Sequence, residues 1–409
     1  VNKRCIFIQM SQMFKSPGVI IASMFIANVG GMTGMVSFPT LVLMFQSAWD
    51  LNNTEAGWVS GVYFAGYVIA VPILTGLTDR MDPKKIIIAS MILGVFASVA
   101  FALWAQGIWT ASIWRFLQGA SFAGTYMPTL KALSDTLPES KQNRGTAILT
   151  SSYAMGASFS FFVTGQLGAV LPWQTAFLLL ALGPMLGLFL TFLFLPPSPA
   201  PRQSDIPSKL DFVSVFRNKR AFAYMVSYGV HNGESSIMRA WIVAYLVFAQ
   251  ANLAVEEMFL DWSPAVIATV ANLLGALATV MMAEMVSKVG RRQIISLIMM
   301  TSAVLGVGLG VSLWGPYGIS LVLVFVYGAA ISADAAAING GVIARADPAI
   351  RGQTMAMHAL FAAAAAFVSP VVFGFILDLA GGEQSKEAWT WAFGATAAFI
   401  AIGPIGLFI

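Results

Sequence analysis

GLTDRMDPKK, from Gly76 to Lys85, decides the fold. It is a short polar stretch between two apolar runs, 56–77 and 86–107. A helix needs about 20 apolar residues to cross the roughly 30 Å hydrocarbon core, and each run is long enough. The stretch between them carries Asp79, Arg80, Asp82, Lys84 and Lys85 around Pro83, so it is a loop and cannot lie inside the bilayer.

Similar runs fill the chain. Twelve spans are read at 18–46, 56–77, 86–107, 110–133, 145–169, 174–196, 221–249, 262–283, 294–314, 316–342, 353–379 and 389–409. With the N-terminus in the cytoplasm, 18 of the 22 Lys and Arg fall in cytoplasmic segments. Lys386 alone falls in a loop on the other side, and Arg115, Lys131 and Arg239 lie inside spans. Cytoplasmic loops are enriched in Lys and Arg, so this split supports both the span count and the orientation. The whole chain is 58% hydrophobic and 10% charged, with mean hydropathy +0.79. Soluble domains carry roughly 25% charge, and a β-barrel would show short alternating segments instead of long runs. The class is therefore an all-α multi-pass protein whose first partner is the lipid bilayer, with the cell inner membrane as the expected location. The net charge of +4 follows from the loop bias and does not point to nucleic acid. The single cysteine, Cys5, excludes an internal disulfide and a cysteine-based metal site. No signal peptide is evident, and the real termini are expected to extend beyond Val1 and Ile409.

The decisive stretch has a second copy, AEMVSKVGRR, from Ala283 to Arg292. Arg144-Gly145-Thr146-Ala147 returns as Arg351-Gly352-Gln353-Thr354, an offset of 207. Trp173 to Phe177 returns as Trp389 to Phe393, an offset of 216, the excess lying in the loop GGEQSKEA. Three landmarks in one order define two six-span halves, 1–196 and 221–409, joined by a Pro-rich cytoplasmic linker, 197–220. Parallel six-span repeats imply two bundles that rock about a central site, which is alternating access.

These landmarks resemble the major facilitator superfamily over the whole chain. The family's loop signature G-x-x-x-D-[RK]-x-G-[RK]-[RK] is matched by Asp79, Arg80, Lys84 and Lys85, with Thr75 and Asp82 in place of the two glycines. In the second copy Gly290, Arg291 and Arg292 match, and Ala283 and Ser287 depart. The resemblance implies twelve transmembrane helices in two six-helix bundles. It also implies that Asp79, Arg80, Lys84, Lys85, Arg291 and Arg292 latch the halves on the cytoplasmic face of the outward-open state. Plain positive-inside charge is the other reading of the same residues. Arg115-Phe-Leu-Gln-Gly119 is similar to the family's R-x-x-x-G motif in span 4. His231-Asn-Gly-Glu234 with Met238-Arg239-Ala-Trp241 is loosely similar to the cyanate and nitrate branch. Spans 2 and 8 lack the arginines of nitrate porters, and span 5 lacks the proline motif of drug/proton antiporters.

Ionisable groups inside a span are costly and are functional candidates by default. Arg115 and Lys131 lie in span 4, His231, Glu234 and Arg239 in span 7, and Asp334 in span 10. In the resembled fold, spans 1, 4, 7 and 10 line the central cavity. His231 and Glu234, three residues apart, share a helix face; they either hydrogen-bond as a structural lock or take up and release the coupling proton. Arg239 suits an oxyanion, or a salt bridge to Glu234 or another acid. Asp334 either pairs with Lys131 or Arg239 or carries the proton. Lys131 contacts substrate or snorkels to the interface, and Arg115 contacts substrate or ties helices together. His358 is expected to be a polar packing residue. Gly30, Gly31, Gly34 and Pro39 mark a bend in span 1.

The expected function is proton-coupled secondary transport of a small organic or inorganic anion by a monomer without cofactor or metal. The alternatives are proton-driven export of a hydrophobic metabolite or drug, and a non-transporting receptor or lipid-handling protein on the same fold. No nucleotide loop or catalytic set points to an enzyme.

Overall fold

A computed structural model of the chain describes residues 16–198, 212–254, 262–347 and 350–408. Most of the interhalf linker, 199–211, lies outside these residues. The described residues form helices and turns. Among the described residues, nine helices are long and apolar enough to cross a membrane: Asn53–Leu77, Pro83–Trp104, Glu139–Val170, Trp173–Phe194, Pro264–Val286, Arg291–Trp314, Tyr317–Arg345, Gln353–Leu379 and Lys386–Phe408. These are spans 2, 3, 5, 6 and 8 to 12. Spans 4 (Ile108–Thr136) and 7 (Lys219–Asn252) are long enough, but too polar to qualify by composition. Span 1 falls short because it is broken into Pro17–Gly31, Ser37–Thr40 and Val42–Trp49. The three are among the spans expected to line a cavity.

The break in span 1 shows how the N-terminal half holds itself together. Backbone groups freed inside a bilayer have no water to satisfy them, so side chains must. The turn Met32–Val36 frees several. The Arg115 guanidinium donates to the Gly34 and Met35 carbonyls and to Gln118 Oε1. Ser160 Oγ donates to the Thr33 carbonyl at 2.6 Å and accepts from Val36 N–H at 3.2 Å. Thr33 Oγ1 donates to the Leu180 carbonyl at 2.8 Å, where span 6 steps at Ala181. Span 10 has a comparable step at Asp334, between Tyr317–Ala333 and Ala335–Arg345.

Twelve crossings put the start of span 1, the end of span 6 and the start of span 7 on one face, here the linker face. Every hydrogen bond described between the halves lies from mid-membrane to the opposite, far face. Spans 2 and 11 pack there along much of their length, as do spans 5 and 8. The approach is close because the contact positions lack side chains, the usual device where lipid offers no hydrophobic drive. A Cβ at Gly57 would sit 2.3 Å from the Pro370 carbonyl oxygen, and one at Gly374 2.2 Å from that of Asn53. The Asp378 carboxylate, at the end of span 11, caps the N-terminus of span 2. It accepts from the backbone N–H of Asn53 (3.0 Å) and Thr54 (2.8 Å), Asn53 Nδ2 (2.8 Å) and Thr54 Oγ1 (2.5 Å). Farther into the membrane, Asn272 donates to the Ala154 carbonyl and to Ser158 Oγ. The halves are thus clamped on the far face.

Candidate substrate and coupling site

Span 7 carries the site, and its helical period sorts the side chains. At about 100° per residue, Tyr228, His231, Asn232, Ser235 and Arg239 fall within about 100° of arc, while Glu234 lies about 140° from Arg239. Two faces result, one towards the gap between the halves and one into the C-terminal bundle.

Glu234 is on the bundle face. Its side chain is 2% exposed, and the hydroxyls of Tyr327 (span 10) and Ser302 (span 9) face it. The Glu234 carboxylate and the hydroxyls of Tyr327 and Ser302 form a buried polar cluster across spans 7, 9 and 10. The expected His231–Glu234 bond is not formed. His231 instead turns to span 10, where its Nδ1 lies 2.8 Å from Asp334 Oδ1, at ion-pair distance. The helical step at Asp334 brings that carboxylate to span 7. His231 stacks on Tyr228 (ring centroids 5.7 Å), and Tyr228 stacks on His358 of span 11 (4.0 Å). His358 Nε2 is 2.8 Å from Asn339 Oδ1. His358 is therefore part of a polar network joining spans 7, 10 and 11.

Arg239 is on the gap face. It lines a cavity of about 40 Å³ with Phe161, Ser235, Asn272 and Ser332, bounded by spans 5, 7, 8 and 10. Its guanidinium lies over Tyr153 of span 5, 5.5 Å from the ring centroid, and so reaches the other half. Its Nε is buried without a partner, and the expected ion pair with Glu234 or Asp334 is not formed. Tyr153 leads into an aromatic patch. Phe122 of span 4 lies 6.0 Å from Tyr153, 5.7 Å from Tyr126, 5.3 Å from Tyr67 and 6.4 Å from Tyr63. Sequence reasoning missed this patch. The signal was present as two aromatic i, i+4 pairs, Tyr63/Tyr67 and Phe122/Tyr126.

The remaining expected site residues lie elsewhere. Arg115 is fully buried in the N-terminal bundle, its guanidinium engaged by the break in span 1 and stacked over Tyr63 at 4.8 Å. Of the two readings of Arg115, this geometry favours the tie between helices: Nη1 and Nη2 donate to the freed carbonyls and to Gln118. Lys131 pairs with Asp135 one turn on, at 3.1 Å, with both side chains partly exposed at the linker-face end of span 4. Lys131 thus has a partner within its own helix, one turn bringing the carboxylate within reach. Asp79 and Arg80 are exposed in the turn after span 2. Lys84 donates to the Phe192 carbonyl at 2.8 Å. Lys85 and Arg292 are exposed, and Arg291 lies against Gly340. Asp82 departs from the signature glycine because it caps span 3, accepting from Lys84 N–H at 2.9 Å.

A family model described as Major Facilitator Superfamily matches residues 23–266. The "Probable sphingolipid transporter spinster homolog 1" of Arabidopsis thaliana is 24% identical over 170 residues, 42% of this chain and 34% of that protein. The "Putative niacin/nicotinamide transporter NiaP" of Bacillus subtilis (strain 168) is 27% identical over 170 residues, 41% of this chain and 40% of that protein. The chain thus matches well under half the length of these curated relatives. A crystal structure of the nucleoside transporter NupG superposes with a TM-score of 0.76 at 15% identity, covering 95% of this chain and 99% of that one. The likeness is one of fold.

Proposed function

The chain belongs to the major facilitator superfamily, and we propose on that premise that it moves a small anion across the cytoplasmic membrane by proton-coupled alternating access. The linker face carries the excess of Lys and Arg and is assigned to the cytoplasm, with the N-terminus there. The clamped far face is then the outer side, closed in this state. Arg239 is the anion ligand, since a half-buried arginine at the seam of the two halves, its Nε buried without a partner, offers the donors an oxyanion needs. That observation carries the reading. The His231–Asp334 contact takes the coupling proton together with Glu234. The contact bridges spans 7 and 10 at the step at Asp334, so a proton added there acts on both helices. In the opposite state Asp79, Arg80, Lys84, Lys85, Arg291 and Arg292 close the cytoplasmic side; here Asp79 and Arg80 stand exposed. Transport-protein relatives with small organic substrates in their names, such as the niacin/nicotinamide transporter, support a small solute. The test is counterflow of small anions in proteoliposomes. Arg239→Gln should abolish it while the protein stays folded; counterflow at the wild-type rate in that variant would remove Arg239 from the site.

A further inference from the structure

We infer that the substrate is a planar aromatic carboxylate, with its carboxylate on Arg239 and its ring on the aromatic patch of the N-terminal half. The inference rests on the assignment of Arg239 as the anion ligand. Its own observation is what stands beside that guanidinium. Tyr153 is under Arg239 at 5.5 Å, and Phe122 and Tyr126 are 6.0 and 6.3 Å from Tyr153. Tyr67 and Tyr63 continue the patch from span 2. Arg239 therefore lies over the first of five contiguous rings contributed by three helices of the other half, the last of which, Tyr63, carries Arg115.

Physical chemistry narrows the ligand. Aromatic ring faces carry negative quadrupole density, so they repel a bare inorganic oxyanion and attract cations. A small hydrated anion would have to shed water against those faces with one guanidinium in return. Arg115 does not help, because its guanidinium is taken by the Gly34 and Met35 carbonyls and Gln118. A quaternary ammonium would suit the rings, but Arg239 would repel it. A long-chain amphiphile gains nothing specific from stacked rings. A planar aromatic acid satisfies both halves of the site. Its ring packs edge-to-face or offset on Tyr153, Phe122 and Tyr126, and its carboxylate takes the guanidinium bidentately. Binding one ligand by groups from both bundles also gives it a grip on the relative position of the two, as a transporter requires.

The experiment is calorimetric titration of the purified, detergent-solubilised protein with benzoate, cyclohexanecarboxylate, nitrate and benzyltrimethylammonium. Benzoate is expected to bind about tenfold more tightly than its saturated, non-planar counterpart, the order of an aromatic pair's contribution. Tyr153→Leu should remove most of that preference, and Tyr153→Phe should keep it, which separates a stacking role from a folding defect. Arg239→Gln should abolish binding of both carboxylates. Equal affinity for benzoate and cyclohexanecarboxylate, or a preference for nitrate, overturns the aromatic assignment and leaves Arg239 as an anion ligand. Carboxylate binding unchanged in Arg239→Gln, or binding of benzyltrimethylammonium alone, overturns the anion reading as well.

Discussion

Replacing Asp378 by asparagine should release the far-face clamp. The carboxylate accepts four hydrogen bonds from Asn53 and Thr54, two of them from backbone N–H groups at a helix N-terminus, where negative charge is favoured. Asparagine keeps the size, but turns one acceptor into a donor facing donors. At least one charge-assisted bond is lost, worth about 1.5–3 kcal/mol, with up to about 1 kcal/mol of helix-dipole energy. Asp378 is half-buried, so screening reduces the total, and about 2 kcal/mol is a fair figure. That shifts the equilibrium between the far-face-closed and far-face-open states about 30-fold. The assay is double electron–electron resonance on spin-label pairs, with Cys5→Ser as background. Gln106 and Gln384, both exposed, report the far face, and Lys141 and Lys288 the linker face. Wild type should show a short far-face distance. Asp378→Asn should add a longer one, with the linker-face pair shortening in step. A far-face distribution changed less than twofold would refute the clamp.

Three further outcomes follow from the same geometry. Gly57→Val should hold the far face open, since even its Cβ would meet the Pro370 carbonyl at 2.3 Å; the same spin labels read it, and a wild-type far-face distance would count against it. Arg115→Lys should cost roughly 3–5 kcal/mol and lower the thermal midpoint, because a lysine cannot bridge the Gly34 and Met35 carbonyls as the fork does; an unchanged midpoint would deny the tie. Asp334→Asn and Glu234→Gln should each abolish proton-driven accumulation and spare counterflow, measured in proteoliposomes with and without a pH gradient; accumulation persisting in both would replace proton coupling by another driving ion or none.

Much of the fold was legible because spans depend on local composition and loop charge on local sequence. The break in span 1 was legible too, from Gly30, Gly31 and Gly34. What closes it was not: Arg115 and Ser160 answer backbone groups about 80 and 125 positions away, and a break alone does not say which side chain repairs it. Glu234 shows the limit of helical periodicity. Spacing places it near His231 on the wheel, but not which side of the wheel meets the cavity. The structure turns His231 towards Asp334 and Glu234 towards Tyr327 and Ser302. In the sequence Asp378 is only an acid near a span end, since its partners lie 324 and 325 residues away. The aromatic patch was hidden because tyrosines are unremarkable span by span and meet only when spans 2, 4 and 5 pack.

The central claim is that the Ser235–Arg239 cavity opens to one face at a time. It is tested most directly by modifying Ser235→Cys, in the Cys5→Ser background, with a small membrane-impermeant thiosulfonate added to either side of oriented proteoliposomes. The account predicts labelling from the linker face in that background, and from the far face once Gly57→Val is added. Labelling from the same face in both, or from both faces at once, would contradict it.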